Sequence, residues 1–190
     1  MGTKKFDKVI VVDIEATCWE SKKDQGSQRS EIIEIGLCVL DPKSLDITRK
    51  NSYIVRPKHS EISKFCTSLT GHTAKSTKCG VPLGDACNTL MRKYGTKNRV
   101  WASWGDTDRL HFKEECSDKD AKYPFGNSHI NVSDLFSLTM GESVRISVTN
   151  ALKMIGLEFE GREHSGRDDA FNTARILAYL LDGGRPSHGT

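Results

Sequence analysis

Two acids interrupt an apolar stretch near the start of the chain, in Val11-Val12-Asp13-Ile14-Glu15-Ala16-Thr17. On a β-strand, residues i and i+2 point to one face, so Asp13 and Glu15 would aim two carboxylates at one spot, with Cβ atoms about 7 Å apart. Unpaired anions beside a buried strand are costly. A divalent cation removes that cost, and hard carboxylate oxygens suit magnesium or manganese. Taken alone, so short a pattern reads more simply as solvated acids at an exposed strand end. A second acidic segment is Trp101-Ala102-Ser103-Trp104-Gly105-Asp106-Thr107-Asp108-Arg109-Leu110. It has the form of a strand end, a glycine turn and two acids opening a helix. Asp106 and Asp108 are both candidate ligands there, with helix capping as the simpler alternative. The third segment is His164-Ser165-Gly166-Arg167-Asp168-Asp169-Ala170-Phe171-Asn172. Its glycine allows a loop that presents His164, an imidazole able to exchange protons near neutral pH. Asp169 falls in the first turn of the following helix, and Asp168 reads as an exposed or capping acid, worth about 0.3–1 kcal/mol to a helix N-terminus.

The elements that must hold these residues follow from hydropathy patterning. Residues 8–14 form a strand whose apolar, β-branched run at 9–12 suits burial on both faces. Residues 31–40 and 48–55 form two more, closed by Asp41-Pro42 and Pro57, and short polar connections make the three an antiparallel meander. The polar stretch 20–30 reads as a loop. Leu83, Ala86, Cys87, Leu90, Met91 and Tyr94 recur at helical spacing until Gly95. Residues 99–103 form a further strand, 104–115 a helix and 119–128 a loop. Val148, Ala151, Leu152 and Ile155 mark another helix, and Ala170, Ala174, Leu177, Ala178 and Leu181 the last. A meander followed by alternating helices and strands implies a mixed α/β sheet flanked by helices.

The 190 residues suit one domain, with residues 1–182 as its body and 183–190 as a polar C-terminal tail. Hydrophobic residues make up 36% and charged residues 28%, which argues against wholesale disorder. A net charge of +3 permits a phosphate-binding face without requiring one. None of the six cysteines forms a C-x-x-C pair, so they read as free, mostly buried thiols in a reducing compartment, with no disulfide-linked partner. The longest early apolar run, residues 9–12, is too short for a signal-peptide core or a membrane span. An intracellular protein, cytoplasmic or nuclear and without a membrane partner, is the expectation.

The three acidic segments in this order resemble the DEDDh (DnaQ-like) 3′–5′ exonucleases of the ribonuclease-H-like superfamily. Asp13-Ile14-Glu15 matches the D-x-E motif, and His164 with Asp169 matches H-x-x-x-x-D. The resemblance is closer to the histone-mRNA-exonuclease and RNA-interference-inhibitor branch. It is carried by Asp13-Ile14-Glu15-Ala16-Thr17-Cys18, Glu31-Ile32-Ile33-Glu34-Ile35-Gly36, Phe65-Cys66-Thr67-Ser68-Leu69-Thr70-Gly71 and residues 166–172. It runs from about residue 9 to residue 181. The branch pattern Gly-x-x-Asp fits Gly105 with Asp108, leaving Asp106 as the rival. The resemblance implies a ribonuclease-H-like mixed five-stranded sheet flanked by helices, and two magnesium or manganese ions. Asp13 would bridge the ions, Glu15 and Asp169 would complete one site, and Asp108 would hold the second, with His164 as general base. It also implies release of nucleoside 5′-monophosphates from single-stranded or 3′-overhanging RNA or DNA. Phe65, Leu69, Thr70 and Gly71 would hold the terminal base, and Thr17, Cys18 and Trp19 would meet the terminal sugar or base. His72 departs from the branch, which often has isoleucine after Leu-Thr-Gly. The alternatives are a nucleic-acid-binding module without catalysis and a ribonuclease-H-like endonuclease.

Overall fold

The apolar run at residues 9–12 lies in the central strand of a five-stranded sheet in the computed structural model, which describes residues 5–183. Strands β1 (Lys5–Ala16), β2 (Ile32–Leu40), β3 (Ile47–Ile54), β4 (Arg99–Ser103) and β5 (His129–Asn131) take the order β3-β2-β1-β4-β5. The meander β1–β2–β3 is antiparallel, while β4 pairs parallel with β1 and β5 parallel with β4. The helices are α1 (Lys22–Gln25), α2 (Lys64–Thr70), α3 (Ala74–Lys78), α4 (Leu83–Tyr94), α5 (Thr107–Asp118), α6 (Val132–Met140), α7 (Val148–Met154) and α8 (Gly166–Leu181). The mixed five-stranded sheet flanked by helices is the architecture expected. The C-terminal tail expected at residues 183–190 lies, apart from residue 183, outside the described residues.

Alternation along β1 sorts the core into two layers. Ile10 and Val12 pack with Leu90, Trp101 and Phe112 on the α4–α5 side. Val9 and Val11 pack with Val132, Phe136, Ala174 and Leu177 on the α6–α8 side. Continuing that period of two, Asp13 and Glu15 belong to the α8 side, and Ile14 packs with the opposite layer.

Several local expectations are corrected. Helix α5 begins at Thr107 rather than residue 104, because Gly105 takes a left-handed φ of 98° and the Ser103 hydroxyl donates to the Gly105 carbonyl. The loop at 20–30 contains the single turn α1, capped by the Ser21 hydroxyl on the Asp24 amide. β5, α2, α3 and α6 were not anticipated at their positions. Four cysteines are buried as expected, whereas Cys18 is half-buried and Cys79 exposed; all six are free thiols. Among the described residues, no helix is long and apolar enough to cross a membrane.

Candidate active site

Asp13, Glu15 and Asp169 converge: one carboxylate oxygen from each lies within 4.8 Å of the other two. The first two come from the C-terminal half of β1, and the third from the first turn of α8. This convergence requires α8 to approach the sheet closely. Gly36 on β2, paired with Asp13 across the strands, provides the room. A Cβ on Gly36 would lie 1.8 Å from the carbonyl carbon of Gly166, and a Cβ on Gly166 would lie 3.1 Å from the Asp13 carbonyl oxygen.

Helix α8 has no capping bond from its own N-cap side chain, that of Ser165. The buried carboxylate of Glu34, on β2, takes that role by accepting the amides of Gly166 at 3.1 Å and Arg167 at 3.3 Å. Ser52 donates to the same carboxylate at 2.6 Å, and the His72 Nε2 lies 2.8 Å from it. Burial would raise the Glu34 pKa, but the contacts with His72, Ser52 and Gly166 outweigh it and hold Glu34 below the usual carboxylate range. An anion built into the fold thus occupies the helix N-terminus, and the site's other carboxylates lie beside it.

Asp108 arrives from the opposite layer. It is buried, and its Oδ1 accepts the Ile14 amide at 3.0 Å, which brings it against β1 between Asp13 and Glu15. Asp106, its rival, turns elsewhere: its oxygens accept Arg109 Nη2 at 2.8 Å and Asn131 Nδ2 at 3.1 Å. Burial works against that ionised carboxyl, yet Arg109 keeps its pKa below the ordinary value.

Asp13, Glu15, Asp169 and the neighbouring Asp108 carry the opposite signature. Burial, followed by the charges of Asp108, Asp169, Glu15 and Glu34, pushes Asp13 well above the carboxylate range. Burial and the charges of Asp169, Glu34 and Asp108 raise Glu15 to about 8. Burial raises Asp169 to about 7, although the backbone amides of Ser165 and His164 favour its ionised form. Burial raises Asp108 to about 6 against the Ile14 amide. A cluster of hard oxygen donors that resists holding its own charge fits a divalent cation, which would supply the missing positive charge.

His164 is exposed, with φ of 60°, a left-handed conformation that is uncommon outside glycine but tolerated by histidine. It stands five residues before Asp169, on the segment entering α8. Asp168 is a correction. Instead of an exposed or capping acid it is buried, with its carboxylate on Lys50 Nζ at 2.8 Å, the Arg162 amide at 3.0 Å and Arg167 Nε at 3.2 Å.

The residues expected to grip substrate divide into two groups. Phe65 on α2 is 38% exposed, and Leu69, Cys18 and Trp19 are half-buried. Thr17 and Thr70 form the second group, with their side chains engaged inside the protein. Thr17 is fully buried with its Oγ1 on the Glu31 amide at 2.9 Å, and the Thr70 hydroxyl donates to the Cys66 carbonyl at 2.9 Å. Trp101 packs in the core on Phe125, and Trp104 packs toward Phe136.

Glu34 and Arg162 are not among the site residues read from the sequence, and His72 enters that reading only as a departure from the branch pattern. Glu34 sits inside a motif that was noted, two residues before Gly36, and that spacing was its available signal. Together with Thr70, Ser165 and Arg167 they line a polar cavity of about 340 Å³ beside the carboxylates.

Residues 10–177 match the family described as Exonuclease (RNase_T). The chain is 32% identical over 200 residues to ERI1 exoribonuclease 2 of Homo sapiens, covering 93% of this chain and 28% of that protein. It is 29% identical over 205 residues to the 3'-5' exonuclease Snipper of Drosophila melanogaster, covering 97% of this chain and 73% of that one. The chain therefore spans little more than a quarter of the human relative's length. The nuclease domain of 3'hExo, a DEDDh family member solved bound to rAMP, is similar in structure with a TM-score of 0.80. The two are 27% identical, with 96% of each chain covered.

Proposed function

Since the chain belongs to the exonuclease family matched over residues 10–177, we propose that it removes nucleotides one at a time from the 3′ end of a nucleic acid and releases nucleoside 5′-monophosphates. The observation that carries this reading is the convergence of Asp13, Glu15 and Asp169 within 4.8 Å, with burial the first cause that makes each of them hard to ionise. Single-stranded or 3′-overhanging RNA is the proposed substrate, in line with the relatives named exoribonucleases.

Asp13, Glu15 and Asp169 would hold one divalent cation, and Asp108 with Asp13 a second. When bound, magnesium or manganese supplies Lewis-acid stabilisation of the charge developing on the phosphate and acidifies the attacking water. His164 accepts the water proton on an imidazole nitrogen, with its exposure and loop position leaving it free to close over the strand end. The water oxygen forms the new bond to phosphorus as the bond to the 3′ oxygen of the penultimate nucleotide breaks. That oxygen takes a proton and becomes the new 3′ hydroxyl. Phe65 and Leu69 offer apolar surface to the terminal base, and Trp19 offers a ring for stacking, worth about 1–3 kcal/mol per base. Cys18 and Gly71 complete this side of the site.

The test is a strand labelled in its 3′-terminal nucleotide, treated with protein stripped by chelation and then reloaded. Release of the label as a nucleoside 5′-monophosphate with magnesium or manganese, and little with calcium, is expected, because calcium's longer, looser coordination misplaces the reacting groups. Release as a 3′-phosphate, or equal turnover with calcium, overturns the reading.

A further inference from the structure

Arg162 is exposed, yet its guanidinium is committed to the main chain of a different element. Nη1 donates to the Thr70 carbonyl at 3.0 Å, and Nη2 to the carbonyls of Leu69 at 2.9 Å and Ser68 at 3.3 Å. These are the last carbonyls of α2, which the helix cannot satisfy internally, and a cation is well placed there. Gly71 makes the approach possible. It is left-handed at φ 78°, and a Cβ built on it would lie 1.9 Å from Arg162 Nη1. The other end of Arg162 is also fixed, since its amide donates to Asp168 Oδ2 at 3.0 Å in the first turn of α8. A parallel link runs from His72, just past α2, through Glu34 to the Gly166 and Arg167 amides. The segment bearing the surface for the terminal base and the segment bearing His164 are thereby tied at two points. His164 lies two residues beyond Arg162.

We propose that Arg162 is a positioning residue: by gripping the end of α2 it couples seating of the strand's terminal nucleotide to the placement of His164. This rests on the exonuclease reading and on His164 as general base.

The experiment is a double-mutant cycle on single-turnover rates at saturating magnesium, using wild type, Arg162→Gln, His164→Ala and the double variant. Strand affinity is read separately by fluorescence anisotropy in chelator. Arg162→Gln should slow the chemical step by about 10- to 100-fold, the scale of a misplacement near 1 Å, while affinity changes by less than about threefold. In the His164→Ala background the same change should cost less than about threefold, because the group it positions is gone. Arg162→Lys should rescue poorly, since one ammonium cannot span three carbonyls. Gly71→Ala, which displaces the guanidinium while keeping its charge, should reproduce the loss and stands in if Arg162→Gln unfolds. Equal cost in both backgrounds overturns the proposal while leaving the exonuclease reading intact. Loss of affinity at an unchanged rate makes Arg162 a strand contact and also overturns it. A His164→Ala variant with the wild-type rate overturns both the coupling and the general-base role.

Discussion

Gly36 and Gly166 meet backbone to backbone, so closely that a Cβ on Gly36 would lie 1.8 Å from one atom of Gly166 and 1.9 Å from another. Through that contact the N-terminus of α8 reaches the sheet, Glu34 reaches the helix amides, and Asp169 reaches Asp13 and Glu15.

Gly36→Ala should therefore push α8 away from β2. The expected cost is at least the about 1–3 kcal/mol of an overpacked core, or about 2–4 °C of Tm per kcal/mol in a domain of this size. Magnesium affinity should fall too, because Asp169 retreats with the helix. Thermal unfolding and calorimetric titration of magnesium check both, and an unchanged Tm would contradict the packing account.

The metal-free protein should lose stability as pH rises from 6.5 to 8.5. Free carboxylic acids ionise near pH 4. In the folded chain, Glu15 gives up its proton at about 8 and Asp169 at about 7. Over this window the folded state binds more protons than the unfolded state, so stability falls with rising pH. His129, held by burial to about 4, is neutral throughout when folded, and Glu31, at about 2 despite its burial, is ionised in both states. His111 is raised because Glu115 outweighs its burial, and it contributes in the same direction. Saturating magnesium isolates the cluster: it should remove most of the fall in Tm, and Glu15→Gln should remove part of it. Parallel slopes in magnesium, in chelator and in Glu15→Gln would show that other groups titrate.

Much of this site was legible in the sequence, for a physical reason. Asp13 and Glu15 share a face through the strand's period of two, and Asp169 sits in a helix's first turn, so local spacing carries their placement. The same holds for β4 and α4, whose predicted bounds the structure reproduces. Glu34, His72 and Arg162 depend on how α2 and α8 cross the sheet, at separations in sequence that no local pattern records. α2 lacks a continuous apolar face, and β5 has only three residues, too few for a periodic signal. Asp168 was misread because a first-turn acid normally faces solvent, whereas here Lys50 from β3 covers it.

His164→Ala should lower turnover by about 10²–10⁴-fold with little effect on strand binding, the usual worth of a general base. Asn or Gln should rescue poorly, since neither exchanges a proton near pH 7. Single-turnover rates at metal saturation, beside strand affinity, check this, and a wild-type rate in His164→Ala would withdraw the general-base role.

Asp13→Ala should leave the metal-free fold as stable as wild type or more so, because it removes a carboxyl whose ionised form is opposed by burial and by the charges of Asp108, Asp169, Glu15 and Glu34. A lower Tm in chelator would mean that Asp13 is held by favourable contacts and that the cluster was not built around a cation.

The central claim is tested most directly with a single-stranded RNA labelled at its 5′ end, followed over time on a denaturing gel in magnesium, beside a matched DNA strand and the Asp13→Ala variant. The account predicts a ladder that shortens one nucleotide at a time from the 3′ end with the wild-type protein and an intact strand with the variant. Internal fragments without a ladder, a wild-type protein that binds the strand and leaves it whole, or more than a few per cent of wild-type activity in Asp13→Ala would contradict it.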